Sequence, residues 1–117
     1  MHNYEKLEIY KDARNLVRLV YTLTERFPKQ ETYILTNQVR RAAISVILNI
    51  AEGNIKTKKE FARFIDISSG SLLEVRVALQ IASDLGYISL EELDEVLINI
   101  DELFKRRMSF RNYLRES

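Results

Sequence analysis

Apolar residues recur at three- and four-residue spacing along nearly the whole chain, the pattern of helices that each bury one face. The first segment covers about residues 4–26, with Tyr10, Ala13, Val17, Val20, Tyr21 and Thr24 as its stripe and Ile9, Leu16 and Phe27 on the flank. The second covers about 31–52 through Leu35, Val39, Ala42, Ala43, Val46 and Ile50. The third covers about 58–85 through Phe61, Phe64, Ile65, Ser68, Leu72, Val75, Leu79, Ala82 and Leu85. The fourth covers about 90–114 through Leu90, Leu93, Val96, Leu97, Ile100, Phe104 and Met108. No strand-like alternation or Asn-Gly hairpin signal competes with these periods.

The joints are written in proline and glycine. The chain has one proline and three glycines. Pro28 ends the first helix, Gly53 the second and Gly86 the third, while Gly70 lies inside the third. Gly53 stands where a left-handed residue after a helix end is expected. Thr57-Lys58-Lys59-Glu60 and Ser89-Leu90-Glu91-Glu92 are capping boxes that start the third and fourth helices. Such short connections force antiparallel neighbours. The predicted fold is all-α, an up-down-up-down antiparallel four-helix bundle, in one domain over residues 1–117.

Two helices carry more apolar surface than one core needs. At roughly 100° per residue, Leu73, Val77 and Ile81 fall opposite the core stripe of the third helix, with Gly70 one turn earlier. Ile44, Leu48 and Ala51 fall away from the main stripe of the second, near Arg41 and Asn37. Scattered surface hydrophobics are common, but these positions are successive turns of a line. Ile44, Leu48, Gly70, Leu73, Val77 and Ile81 are therefore the expected oligomer interface. Gly70 either permits close helix approach there or marks a local bend.

The residues point away from catalysis. There is no cysteine, which removes thiol nucleophiles, disulfides and zinc-thiolate sites and fits a reducing compartment. The one histidine, His2, stands at the N-terminus, so the Glu-x-x-His ligand sets of metal-bearing bundles cannot be assembled. Gly53-Asn54-Ile55-Lys56-Thr57-Lys58 lacks the glycine spacing of a phosphate loop, and Thr57 and Glu60 compete for the free N–H groups of the helix start. Ser45 and Asn49, between the two apolar strips of the second helix, read as structural hydrogen-bonders. No catalytic, metal or cofactor site is expected. No apolar run is long enough to span a membrane and no signal peptide is visible, so the expected location is cytoplasmic.

Net charge is only +1, so contact with nucleic acid must rest on local patches. One group is Lys105, Arg106, Arg107, Arg111 and Arg115, beside Phe110 and Tyr113. A second is Lys56, Lys58, Lys59 and Arg63, and a third is Arg40 and Arg41. Two explanations stand side by side for the first. Acids at the start of the fourth helix and bases at its end suit the helix dipole; the same bases beside aromatics make a phosphate-binding end.

The run Phe27-Pro28-Lys29-Gln30-Glu31-Thr32-Tyr33-Ile34-Leu35-Thr36-Asn37-Gln38-Val39-Arg40-Arg41-Ala42-Ala43 continues through Ser45 to Asn49-Ile50-Ala51-Glu52-Gly53. Glu60-Phe61, Gly70-Ser71-Leu72-x-Glu74 and Leu85-Gly86-Tyr87 follow. This combination closely resembles the bacterial four-helix-bundle proteins encoded in intervening sequences of 23S ribosomal RNA genes, to which the accessory variability proteins of diversity-generating retroelements look related. The resemblance implies a barrel-like homopentamer with a basic surface and nucleic-acid binding, without catalytic residues. RNA, DNA or a nucleic-acid-processing enzyme are the partners it implies; a protein-interaction scaffold without nucleic acid is the alternative. Relatives resemble Ser-Ile-Pro-Ser/Ala-Asn-Ile-Ala-Glu-Gly in the second helix. Here Val46-Ile47-Leu48 replaces the proline, which should straighten the helix and places Leu48 on the second strip.

Overall fold

The computed structural model describes residues 7–116, so His2 and the expected helix start at residue 4 lie outside the described residues. Four helices make up the bundle: α1 (Glu8–Thr24), α2 (Asn37–Gly53), α3 (Lys58–Asp84) and α4 (Leu90–Glu116). α1 packs on α2 and α4, and α3 packs on the same two, giving a square of antiparallel neighbours. The rod measures 45 × 24 × 24 Å. Leu16, Val20, Val46, Ile50, Ile65, Leu72, Leu79 and Ile100 form the centre of its core. Among the described residues, no helix is long and apolar enough to cross a membrane.

The helix starts and stops have local causes. Thr57 Oγ1 accepts from the Glu60 N–H at 3.2 Å, but Glu60 returns only to the Thr57 hydroxyl, which donates to its carboxylate at 3.1 Å. The second box is fully reciprocal: Ser89 Oγ accepts from the Glu92 N–H at 3.1 Å and Glu92 Oε1 accepts from the Ser89 N–H at 2.9 Å. α3 ends in a Schellman motif. Gly86 takes φ +78°, its N–H reaches the Ser83 carbonyl, and the Tyr87 N–H reaches the Ala82 carbonyl.

Several boundaries and faces differ from the sequence reading. The segment expected to open the second helix is a 3-10 turn (Lys29–Glu31) followed by a π turn (Thr32–Thr36), and the α-helix proper begins at Asn37. Tyr87 ties this entry to the end of α3: its hydroxyl donates to Glu31 at 2.7 Å and its ring lies 5.5 Å from that of Phe27. Hydrogen bonding to Glu31, then burial, raise the Tyr87 pKa above its ordinary value. The buried stripe of α1 is Ile9, Ala13, Leu16, Val20, Leu23 and Thr24, leaving Tyr10 and Val17 half-buried and Tyr21 exposed. In α4 Leu90 and Met108 are exposed, and Leu103, Arg107 and Leu114 take interior positions.

Gly53 is not left-handed. Gly86 is the positive-φ residue among those described, and α2 instead unwinds through the Ile55 N–H to Glu52 and Lys56 N–H to Gly53 carbonyl bonds. The need for glycine at 53 is space. A Cβ there would stand 2.6 Å from Phe61 Cδ1 and 2.8 Å from Phe64 Cβ.

Candidate nucleic-acid interface

The start of α3 and the end of α4 lie side by side at one end of the rod and enclose a cleft of about 510 Å³. Helix geometry explains the lining. Lys58, Lys59, Ala62, Arg63 and Asp66 are successive turns of one α3 face, and Arg111, Leu114 and Arg115 are the last turns of α4. Ala62 and Leu114 are buried and form an apolar floor. Lys58, Lys59, Arg63 and Arg115 are exposed around it, and none of the four forms an ion pair among the described residues. Asp66 is the acid of the lining. Its Oδ1 accepts from Arg111 Nε and lies 3.8 Å from Arg107 Nη1.

Aromatic rings adjoin this cleft. Phe61 meets Phe110 edge-on at 5.1 Å, Phe110 stacks with Tyr113 at 6.1 Å, and the Lys58 ammonium lies 6.0 Å from the Tyr113 ring centre. The rings step outward from the core. Phe61 is buried, Phe110 is half-buried, and Tyr113 is 59% exposed.

The structure thus joins parts of two basic groups that the sequence reads separately, and it scatters the rest. Lys58, Lys59, Arg63 and Arg111 meet at the cleft, joined by Arg115. Lys56 is exposed in the loop before α3. Lys105 and Arg106 turn toward the start of α1, where Arg106 Nη1 donates to Asp12 Oδ1 and Oδ2 at 3.0 and 2.9 Å. Arg107 leaves the surface altogether: it is 8% exposed, because its position continues the core stripe of Ile100 and Leu103. A buried guanidinium cannot serve as an accessible phosphate contact. Arg40 and Arg41, adjacent in sequence, point in different directions. Arg40 Nε donates to Thr24 Oγ1 at 2.7 Å and its guanidinium sits 4.4 Å from the Tyr21 ring centre on α1. Arg41 is exposed on the side facing α3.

That α2–α3 side carries the second apolar strips. Leu48, Leu73, Val77 and Ile81 are 59, 54, 45 and 43% exposed, and Ile44 is half-buried. Ile67, three residues before Gly70 and 45% exposed, extends the α3 line and was recoverable from the same spacing. A Cβ on Gly70 would meet nothing within 4 Å. Between the strips runs a polar seam. Gln38 donates to Glu74 at 3.0 Å, Ser71 to Ser45 at 2.9 Å, and Asn49 to the Ser45 carbonyl at 2.8 Å. These are motif residues of the resemblance: the Gln38–Glu74 and Ser71–Ser45 bonds tie α2 to α3, while Asn49 bonds back within α2 and orients the seam.

A family model described as 23S rRNA-intervening sequence protein matches residues 5–109. The chain belongs to that family. A solved structure from the S23 ribosomal protein family of Bacteroides thetaiotaomicron, described as of unknown function, superposes with a TM-score of 0.78 at 19% identity, over 88% of this chain and 97% of that one. At that identity the likeness speaks for the shared four-helix fold. A comparison with curated proteins finds no match. The 23S rRNA-intervening sequence match includes the whole polar seam and the α3 side of the cleft, but stops at Ser109. The α4 lining residues of the cleft, Arg111, Leu114 and Arg115, lie beyond the matched span.

Proposed function

We propose that this chain is a non-enzymatic, self-assembling scaffold that holds nucleic acid in the cleft between α3 and α4. The carrying observation is the convergence of Lys58, Lys59, Arg63, Arg111 and Arg115 around one opening. In a chain of net charge +1, most binding energy for a polyanion must come from such a local concentration. Lys58, Lys59, Arg63 and Arg115 form no ion pair among the described residues, so their charge is not already spent on a neighbouring acid.

Self-assembly rests on the α2–α3 side. Burying each large apolar side chain contributes about 1.5–3 kcal/mol before the costs of association. The family resemblance favours a homopentamer. A closed ring would present every copy's cleft at the same end and so convert modest single-site affinity into multivalent binding. A cysteine-free chain of this kind suits the cytoplasm.

A second reading draws on the same apolar side. Leu48, Leu73, Val77 and Ile81 would also suit a protein partner, such as a nucleic-acid-processing enzyme, with no nucleic acid bound by this chain itself. Fluorescence anisotropy with labelled RNA and DNA over a salt series separates the two. Expected is binding that weakens linearly in log salt and is lost in Lys58→Glu/Arg63→Glu. Absence of binding at low salt, or indifference to that double substitution, overturns the cleft as a nucleic-acid site.

A further inference from the structure

We infer, resting on the reading of the α2–α3 side as the assembly surface, that α2 of each copy stands against α3 of the next, with Arg41 facing the next copy's Glu74 and Glu52 facing its Arg63. Two observations carry this: a register fixed within the protomer, and two lines of exposed residues that match in that register.

Copies in a closed ring are related by rotation alone, with no shift along the axis. With the rods upright in the ring, residues that meet across a contact lie at the same height along the rod. The protomer supplies the scale of heights. Gln38 donates to Glu74 and Ser71 to Ser45, so the stretch of α2 at residues 41–42 is level with the stretch of α3 at residues 72–73. Both helices rise about 1.5 Å per residue and run antiparallel. Each step toward the end of α2 is therefore matched by one step toward the start of α3.

On α2, Arg41, Ile44, Leu48 and Glu52 follow one another at three- and four-residue spacing along one face; on α3, Glu74, Gly70, Ile67 and Arg63 do the same in reverse. All are exposed except the half-buried Ile44. Within one residue the two lines are level, pair by pair, and every pair is compatible. At the two ends unlike charges meet, Arg41 with Glu74 and Glu52 with Arg63. Between them Ile44 comes against Gly70, where even a Cβ would meet nothing within 4 Å of the protomer, which leaves room for the isoleucine. Leu48 and Ile67, 59 and 45% exposed, cover each other. None of the four charged residues forms an ion pair among the described residues. Glu74 gives one carboxylate oxygen to Gln38 and keeps the other for a second donor. The matched lines are different ones, so each copy offers α2 to one neighbour and α3 to the other, as a ring requires. Arg63 also lines the cleft, so the Arg41–Glu74 end gives the cleaner test.

The test is complementation between variants of the full chain, read by sedimentation velocity at micromolar concentration and low salt. Wild type is expected to be assembled. Arg41→Glu and Glu74→Arg each set like charges against each other at every contact, and each should be monomeric while circular dichroism shows it folded. In an equimolar mixture of the two, every contact from one variant to the other again joins unlike charges, so the mixture should associate. Arg41 and Glu74 of one copy line the same opening, but pairing within a copy could not be restored by mixing. Glu52→Arg and Arg63→Glu repeat the experiment at the other end of the contact, so a variant that fails to fold does not stop the test. A monomeric wild type overturns the assembly reading itself and the register with it. A wild type that assembles, together with single variants that also assemble or a mixture that stays monomeric, overturns the register and leaves assembly standing.

Discussion

The Asp66 carboxylate lies 3.8 Å from Nη1 of Arg107, a guanidinium that α4 carries into the bundle. Burial lowers the Arg107 pKa, the charge of Asp66 works the other way, and Arg111 adds to the lowering. Arg107 Nε is buried without a hydrogen-bond partner. The ring of Phe104, 5.9 Å away, gives the cation a second, weaker neighbour. Asp66 therefore serves two sites at once, compensating an interior charge and holding Arg111 at the cleft.

Removing Asp66 should leave an interior charge without its counter-ion. Because Asp66 is partly exposed, the cost falls below that of breaking a fully buried pair, and Asp66→Ala is expected to lose about 1–2 kcal/mol. Arg107→Met, which fills the same space without a charge, should be neutral or stabilising. The double variant should then recover most of the loss. Urea denaturation of the three variants measures this; an equal loss in Asp66→Ala with and without Arg107→Met would show that the pair is not coupled.

The two helical glycines should respond oppositely to alanine. At Gly53 the new Cβ would meet Phe61 Cδ1 at 2.6 Å and Phe64 Cβ at 2.8 Å, so Gly53→Ala should cost about 1–3 kcal/mol of overpacking. At Gly70 the protomer offers open space, and Gly70→Ala should stabilise the folded chain by about 0.5–1 kcal/mol through helix propensity. If Gly70 is a site of close approach between subunits, the same substitution should weaken assembly. Thermal melts and sedimentation velocity on one preparation read both effects.

How much of this was legible in the residues varies with the range of the cause. The starts of α3 and α4 were, because Thr57/Glu60 and Ser89/Glu92 act within one turn. The entry to α2 was not: the 3-10 and π turns at 29–36 accompany the distant Tyr87–Glu31 bond. The α1 stripe was read about one residue away from its true axis, because Tyr10 and Tyr21 count as apolar in a periodic pattern while their hydroxyls favour the surface. Gly53 was assigned to a turn for want of any local sign of Phe61. The charges of the cleft were visible singly, but their meeting depends on how α3 and α4 are rotated about their axes. For Arg107 a signal existed: it stands four residues after Leu103 and seven before Leu114, on the buried line of α4.

The α2–α3 side gives the assembly proposal its own test. Val77→Glu with Ile81→Glu places two charges on adjacent turns of a line that is 45 and 43% exposed in the protomer, so the fold should survive while association is lost. Wild type is expected to scatter light as an oligomer at micromolar concentration, and the double variant as a monomer. A monomeric wild type under those conditions overturns self-assembly and leaves the apolar side to another partner.

Glu92 should make part of the stability depend on pH. Its carboxylate accepts from Arg26 and from the Ser89 N–H, and these bonds lower its pKa from 4.5 to about 2. A carboxyl whose pKa is depressed by folding contributes its stability in full above the unfolded value and loses it as pH falls through the folded one. Glu92→Gln keeps a capping side chain at this position but gives up the charge. The variant should therefore melt below wild type near pH 7, and the gap should narrow from pH 4.5 down to about pH 2. Ser89→Ala provides the contrast. It removes the helix cap while keeping Glu92 beside Arg26, so its deficit of about 0.5–2 kcal/mol should change less over the same range. Melting curves at several pH values decide the matter, and a Glu92→Gln gap that stays constant would mean the Arg26–Glu92 charge pair contributes nothing to the fold.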